Sequence, residues 1–216
     1  MSSRDQEKYI DPEMLKKILM GGKDDDEFMM GDIGTISMLQ NHIYFYADIV
    51  PSSVLKLNNV LMQLMREQLG EAASRDKPVE PIHIHINSPG GIVSAGFIGY
   101  DTIIEIGKRV PLYTHVEGNC SSAGTLLSIA GTKRFITPYS TMLIHELSTF
   151  IGGKLSEISQ DYRNSILIEN KIEEIYLRHS KISKEDLQDL LKRDVLLSAE
   201  DALEKGLVDE IKTVVF

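Results

Sequence analysis

The sequence predicts an α/β fold built on a largely parallel sheet. Short β runs alternate with segments of helical period, joined by turns of small residues, and no Pro/Gly-rich linker divides them. The scale agrees: 216 residues, 42% hydrophobic and 25% charged, are enough for one sizeable core and exclude a disordered tail, a fibre or a mini-protein.

Residues 1–32 read as an appendage to a domain spanning 33–216. Asp11 and Pro12 open a short helix carrying Leu15, Ile18 and Leu19, which stops at Gly21 and Gly22. The acidic run 24–27 is a solvated connector. From Gly34, GTISML and HIYFYADI, parted at Gln40 and Asn41, are strands rich in β-branched and aromatic residues. Ser52 and Ser53 open a helix with Val54, Leu57, Val60, Leu61, Leu64 and Leu69 at helical spacing, expected to end at Gly70. IHIHIN puts Ile82, Ile84 and Ile86 on one strand face, SPGG turns, and a helix follows with Val93, Phe97, Ile103 and Ile106. VPLYTHV repeats the pattern, with EGNCSSAG as its turn and TLLSIAG opening the helix. KRFIT and TMLIHEL are strand-like. Leu155 to His179 is helix-compatible throughout, with Ile158, Ile166, Ile172, Ile175 and Tyr176 apolar. Such a helix is roughly 37 Å long, more than a core of this size needs, so it projects or packs on another subunit. Ser198 caps AEDALEK with Asp201 at the box position, Gly206 closes it, and LVDEIKTVVF is a final strand.

Lys and Arg number 23 against 32 Asp and Glu, a net charge of −9 with no dense basic run. Nucleic acid and an anionic membrane are therefore excluded as first expectations for a partner. The one cysteine, Cys120, cannot form an internal disulfide, the start MSSRDQEKYI lacks an apolar signal region, and no stretch approaches membrane-span length. A reducing, cytoplasmic setting is expected. No tight metal-ligand spacing demands a metal site, and no Gly-Lys-Ser/Thr follows the glycines, so a P-loop is not expected.

Ligands of such sheets gather where a strand ends and a helix begins. Two turns meet that description. In NSPGG, 87–91, paired glycines bring backbone N–H groups close to a substrate, although an ordinary tight turn uses the same residues. In GNCSSAG, 118–124, a serine at a helix start is either a nucleophile or a plain N-cap, and the residues alone do not choose between Ser121 and Ser122. Cys120 is a rival nucleophile, though a packed apolar role is commoner for cysteine. A serine nucleophile needs a base, and the histidines are His42, His83, His85, His115, His145 and His179. His145, ending a β run, is placed to reach the same sheet edge, whereas His179 suits a solvated helix terminus.

INSPGG, GNCSSAGTLLSIAG, MLIHE and KRDVLLSAEDALEKGLVDEI, in that order, resemble the ClpP family of self-compartmentalising serine proteases from about residue 35 to 216. The resemblance implies a ClpP/crotonase-like spiral of ββα units with a projecting long helix. It assigns nucleophile, base and acid to Ser122, His145 and Asp194, and the oxyanion amides to Gly91 and Ala123. Gly90, Ile92, Glu146 and Leu147 fall on the substrate-binding edge, and Arg193 on the position that couples ring assembly to the triad. It further implies polypeptide substrates, a homo-oligomer of stacked heptameric rings, an AAA+ unfoldase partner and no cofactor. The rivals are a catalytically silent scaffold subunit and a crotonase-type acyl-CoA enzyme, which does not need those three side chains together.

The sequence departs from the family on the unfoldase-docking strands. Aromatic and apolar residues give way to His83, His85, His115 and Glu117, which argues against standard docking. Period-2 alternation brings the four onto one face, as a zinc-type ligand set without a spacing motif, a pH-sensitive subunit contact or a plain polar surface. The Ser-Arg-Leu-Leu-type stretch before the first strand is also missing, so pore gating does not carry over, and the proline usual two residues after His145 is absent, so the substrate-binding edge is expected to differ in detail. These departures suit a specialised member, such as a phage-encoded one.

Overall fold

The computed structural model describes residues 34–75 and 78–213. The expected helix from Asp11, the acidic run and residues 214–216 of the last strand lie outside them. The elements are β1 (Gly34–Leu39), β2 (His42–Ala47), α1 (Pro51–Arg75), β3 (Ile82–Ser88), α2 (Val93–Gly107), β4 (Leu112–Ser121) and α3 (Gly124–Ile129). There follow β5 (Lys133–Ile136), β6 (Thr141–Leu143), α4 (Leu155–His179), α5 (Lys184–Leu191), α6 (Ala199–Glu204) and β7 (Glu210–Ile211). The sheet runs β1-β2-β3-β4-β5-β7, with β6 pairing the end of β4. Only β1–β2 is antiparallel, a hairpin turned at Gln40 with φ 55°, and every other pairing is parallel. The α/β reading stands, and the crossovers are the β-turn-helix units seen in the sequence.

One sheet face carries the core. Ile43 and Phe45, Ile82, Ile84 and Ile86, and Leu112 and Val116 are fully buried against Leu57 and Leu61 of α1, Ile103 of α2 and Leu127 of α3. Each such side chain contributes about 1.5–3 kcal/mol by leaving water. On the other face His42 joins the predicted His83, His85, His115 and Glu117, and among the described residues no helix covers them.

Several boundaries differ from expectation. α1 continues past Gly70 to Arg75, because Glu71, Ala72 and Ala73 are good helix formers and an exposed glycine costs only about 1 kcal/mol. β4 extends through the expected turn to Ser121, because β6 arrives beside residues 119–121 and pairs with them. KRFIT, TMLIHEL and the described part of the last segment form shorter strands than their composition suggested. Helix α5 is additional, capped by Ser183 Oγ accepting from Asp186 N at 3.1 Å and buried through Leu187 and Leu191.

Helix α4 has the expected bounds. It buries only Ile172 and Tyr176, both near its C-terminal end, and leaves Leu155, Ile158, Tyr162, Ile166 and Leu167 exposed. Its last carbonyl, His179 O, accepts from Arg134 Nη1 at 2.5 Å, while Arg134 grips Asp209 through Nη2 at 2.5 Å and Nε at 3.1 Å. One side chain thus ties β5, the end of α4 and the entry to β7. Arg134→Ala is expected to lower stability by about 1–3 kcal/mol, since Arg134 is 13% exposed but Asp209 is 37% exposed and partly screened. A urea midpoint measured at pH 7 checks this. No helix among the described residues is long and apolar enough to cross a membrane.

Candidate active site

Two adjacent parallel strands end together here. β4 delivers Asn119, Cys120 and Ser121 opposite Thr141, Met142 and Leu143 of β6, so the residues just beyond each strand meet at one edge. Ser122 is the first residue past β4 and Gly124 starts α3, a sharp strand-to-helix elbow. The backbone of Ser122 takes φ 53°, a strained value for a residue with a side chain. It is held by its N–H donating to Leu143 O at 2.8 Å and by its carbonyl accepting from Thr125 N at 3.0 Å and Thr125 Oγ1 at 2.6 Å. Thr125 spends its only hydroxyl proton there, so the buried Tyr176 hydroxyl, 2.6 Å away, donates to Thr125 Oγ1.

Burial distinguishes the three candidate nucleophiles that residue types left open. Ser121 is buried and donates through Oγ to Asn119 Oδ1 at 2.9 Å. Cys120 is fully buried, and desolvation pushes its thiol well above the usual range, which removes it as a nucleophile. Ser122 is the one of the three that lines the cavity.

The NSPGG turn lies against that elbow. Gly90 and Gly91 have φ 99° and 145°, and a Cβ on Gly90 would fall 2.6 Å from the Cβ of Ser122. Ile49 clamps the turn, its N–H donating to Gly90 O at 2.8 Å and its carbonyl accepting from Ile92 N at 2.7 Å. Gly91 N–H between these bonds, and Ala123 N–H after the elbow, donate to no backbone acceptor among the described residues. Two unused amides beside a serine are what a developing oxyanion requires.

His145 stands two residues past β6 and lines the same cavity as Ser122, Gly91 and Ala123. Asp194 comes from the loop between α5 and α6, which is tied to the His145 segment at three points. Met142 and Leu197 exchange backbone bonds of 3.0 and 2.7 Å, and Glu146 N donates to Leu191 O at 2.8 Å. His145 Nδ1 lies 3.9 Å from Asp194 Oδ1, inside ion-pair range but outside hydrogen-bond range, and Asp194 is 84% exposed. The cavity holds about 90 Å³ over an apolar floor of Leu126, Ile172 and Tyr176, with Glu146 and Leu147 on its rim. A wider cleft of about 650 Å³ continues from His145 past Leu147 to Asp194.

The sequence-predicted residues divide accordingly. Ser122, His145, Gly91, Ala123, Glu146 and Leu147 share the cavity, Gly90 backs the serine, and Ile92 is exposed beside Gly91. Asp194 stands at the end of the cleft, and Arg193 turns to Asp189 of α5 in an exposed ion pair. Sequence reasoning missed the Thr125–Tyr176 support, whose only signal was the apolar position of Tyr176 on the long helix. The family model described as Clp protease matches residues 39–214.

Proposed function

The chain belongs to the Clp protease family, and from that premise we propose that it is a serine endopeptidase that hydrolyses peptides and unfolded polypeptides inside a ring-shaped chamber. Family membership implies protein substrates and ring-shaped oligomers. The observation that carries the chemistry is the strained Ser122 elbow with two unused amides and an imidazole on one cavity.

In the proposed cycle His145 takes the proton of Ser122 Oγ as it attacks the peptide carbonyl, and Gly91 N–H and Ala123 N–H receive the oxyanion. His145 then gives that proton to the leaving amine. A water molecule, deprotonated by the same imidazole, attacks the acyl-enzyme, releases the acid and restores Ser122. Asp194 orients the ring once it closes from 3.9 Å to hydrogen-bond distance, a movement of about 1 Å. The apolar floor admits a small or medium apolar side chain next to the scissile bond.

The wider proposal joins stacked heptameric rings through the exposed stripe of α4, with Arg193 linking assembly to the Asp194 loop. It gives residues 1–32 the role of an appendage to the protease domain and sets the enzyme in a reducing cytoplasm. An AAA+ unfoldase would not find an apolar groove at His83, His85, His115 and Glu117. The long His145–Asp194 separation favours one second reading, a scaffold subunit whose triad stays open.

A fluorophosphonate serine-hydrolase probe, applied across size-exclusion fractions with Ser122→Ala as control, separates the two. Labelling at Ser122 in a large assembly is expected. Absence of labelling in every fraction would leave the scaffold reading.

A further inference from the structure

The uncovered sheet face carries a ladder of rings. Tyr44 on β2, His85 on β3, His115 on β4 and Phe135 on β5 are register partners and stack in one row. Their centroids are 4.6, 4.7 and 4.7 Å apart and their planes tilt by 16°, 14° and 11°. This is the spacing of hydrogen-bonded strands, so the sheet itself sets the stack. In a second row His42 lies on His83 at 4.4 Å and 8°. Diagonal bonds join the rows, His42 Nδ1 to His85 Nε2 at 2.8 Å and His83 Nδ1 to His115 Nε2 at 2.9 Å. His85 Nδ1 meets Glu117 Oε1 at 2.6 Å, and the Tyr46 hydroxyl donates to the other Glu117 oxygen.

Proton counting limits the charge this cluster can hold. A nitrogen-to-nitrogen contact under 3 Å contains one proton, shared by a donor and an acceptor. Each histidine pair therefore accepts at most one net charge, because two imidazolium rings would face each other N–H to N–H. Glu117 is the carboxylate of the ladder. Burial works against its charge, but the bonds from His85 and Tyr46 outweigh burial and keep its carboxyl below the usual range. The other charged groups nearby are cationic or already paired. Lys133 and Lys212 lie over the Phe135 ring, and Lys133 is bound to Glu210 at 2.9 Å. Tyr113 edges the His83 ring, and the β1 partners of Tyr46, Tyr44 and His42 are Thr35, Ser37 and Leu39, which do not titrate.

Parallel rings aim their in-plane lone pairs along parallel lines, which suits stacking and not convergence on an ion. Among the described residues no group of three or more His, Cys, Asp or Glu side chains is placed to hold a metal.

The ladder grips the two strands that deliver the candidate site. β3 runs from His85 into the Gly90–Gly91 turn, with a register break between Ile86 and Ser88, and β4 runs from Glu117 to the Ser122 elbow. We propose that the imidazole ladder is an acid-sensitive clasp on β2, β3 and β4 that opens when a second proton enters either histidine pair. Its consequence for catalysis rests on the function proposed above, whereas the clasp itself does not.

The sign follows from proton linkage. Burial and the neighbouring histidines hold His83 at about 4 and His115 at about 3, against about 6.5 for an unfolded chain. Between those values the unfolded chain binds more protons, so stability falls as pH drops below about 6.5 and is flat above about 7.5 with respect to these groups.

The test is histidine C2-hydrogen exchange read by mass spectrometry on the full chain in its native assembly, from pH 4 to 8. Exchange midpoints for His83 and His115 are expected at or below about pH 5, against about 6.5 for an unconstrained imidazole. Rate-corrected amide exchange in the β3 and β4 peptides is expected to rise over the same interval. The wild-type Tm is expected to fall by about 5–10 °C from pH 7 to pH 5. His115→Phe keeps a ring in the stack without a titrating nitrogen and is expected to halve that fall. Midpoints near 6.5 for both histidines, or an undiminished fall in His115→Phe, would overturn the clasp. So would a saturable rise in Tm with Zn²⁺ at pH 7, which would make the cluster a metal site. None of these readouts needs peptidase activity, so a failed clasp and a failed catalytic assignment remain distinguishable.

Discussion

Ser122→Ala is expected to lower kcat/KM for a fluorogenic peptide by a factor of about 10⁴ to 10⁶, with assembly size and Tm unchanged. The backbone of Ser122, not its hydroxyl, makes the bonds to Leu143 and Thr125, so alanine inherits the elbow. The amides of Gly91 and Ala123 survive the change and leave only the catalysis that polarisation of the carbonyl supplies. His145→Ala should cost a similar factor and the double variant little more, because nucleophile and base act as one unit. Residual activity within tenfold of wild type in Ser122→Ala would place the nucleophile elsewhere.

Gly91→Ala is expected to be the most damaging change outside the proposed triad. A Cβ there would meet Ile49 O at 2.4 Å and Ile49 C at 3.0 Å, on a backbone at φ 145°. Ile49 cannot retreat, since it is fully buried and bonded on both sides to the same turn. Strain and clash together should cost about 2–4 kcal/mol of stability. The displaced N–H should lower kcat by about 10²- to 10³-fold with KM little changed. Steady-state kinetics beside a urea titration report both effects. Gly70→Ala is the matched control, because a Cβ on exposed Gly70 meets nothing within 4 Å and should gain up to about 1 kcal/mol of helix stability. Equal behaviour of the two variants would mean that the close approach of Ile49 to Gly91 is not what constrains the turn.

What the sequence discloses is mostly local. The alternation of strand and helix periods marks the parallel core, and the apolar spacing from Leu155 to His179 defines α4 at both ends. Ser198 and Asp201 satisfy each other across the first turn of α6, so their spacing alone marks that cap. Distant pairing is where local reading stops. Gly118 and Asn119 have turn chemistry, yet β6, about 20 residues downstream, draws them into a strand. His42 enters the ladder only because the register of β2 sets it opposite His83, some 40 residues away. Ser121 and Ser122 are chemically identical, and only burial separates them. Asp194 has no local motif at all and is singled out solely through resemblance. The Ser183 cap of α5 was present in the sequence, but its helix spans 8 residues and offers few apolar positions to show a period.

Helix α4 has its two buried side chains at one end, in the floor of the Ser122 cavity, and its exposed apolar stripe toward the other. Leu155 and Tyr176 are separated by about 31 Å of rigid helix. Mechanically this is a long lever pivoting near its load. A tilt of about 5° around Tyr176 sweeps Leu155 through about 3 Å while displacing the floor by only tenths of an ångström. If neighbouring subunits hold the far end, as proposed above, they can shift and settle with little disturbance to the pocket. By the same leverage, a side chain that enters the cavity and lifts the floor slightly would be felt at the helix tip, where the proposed contact lies.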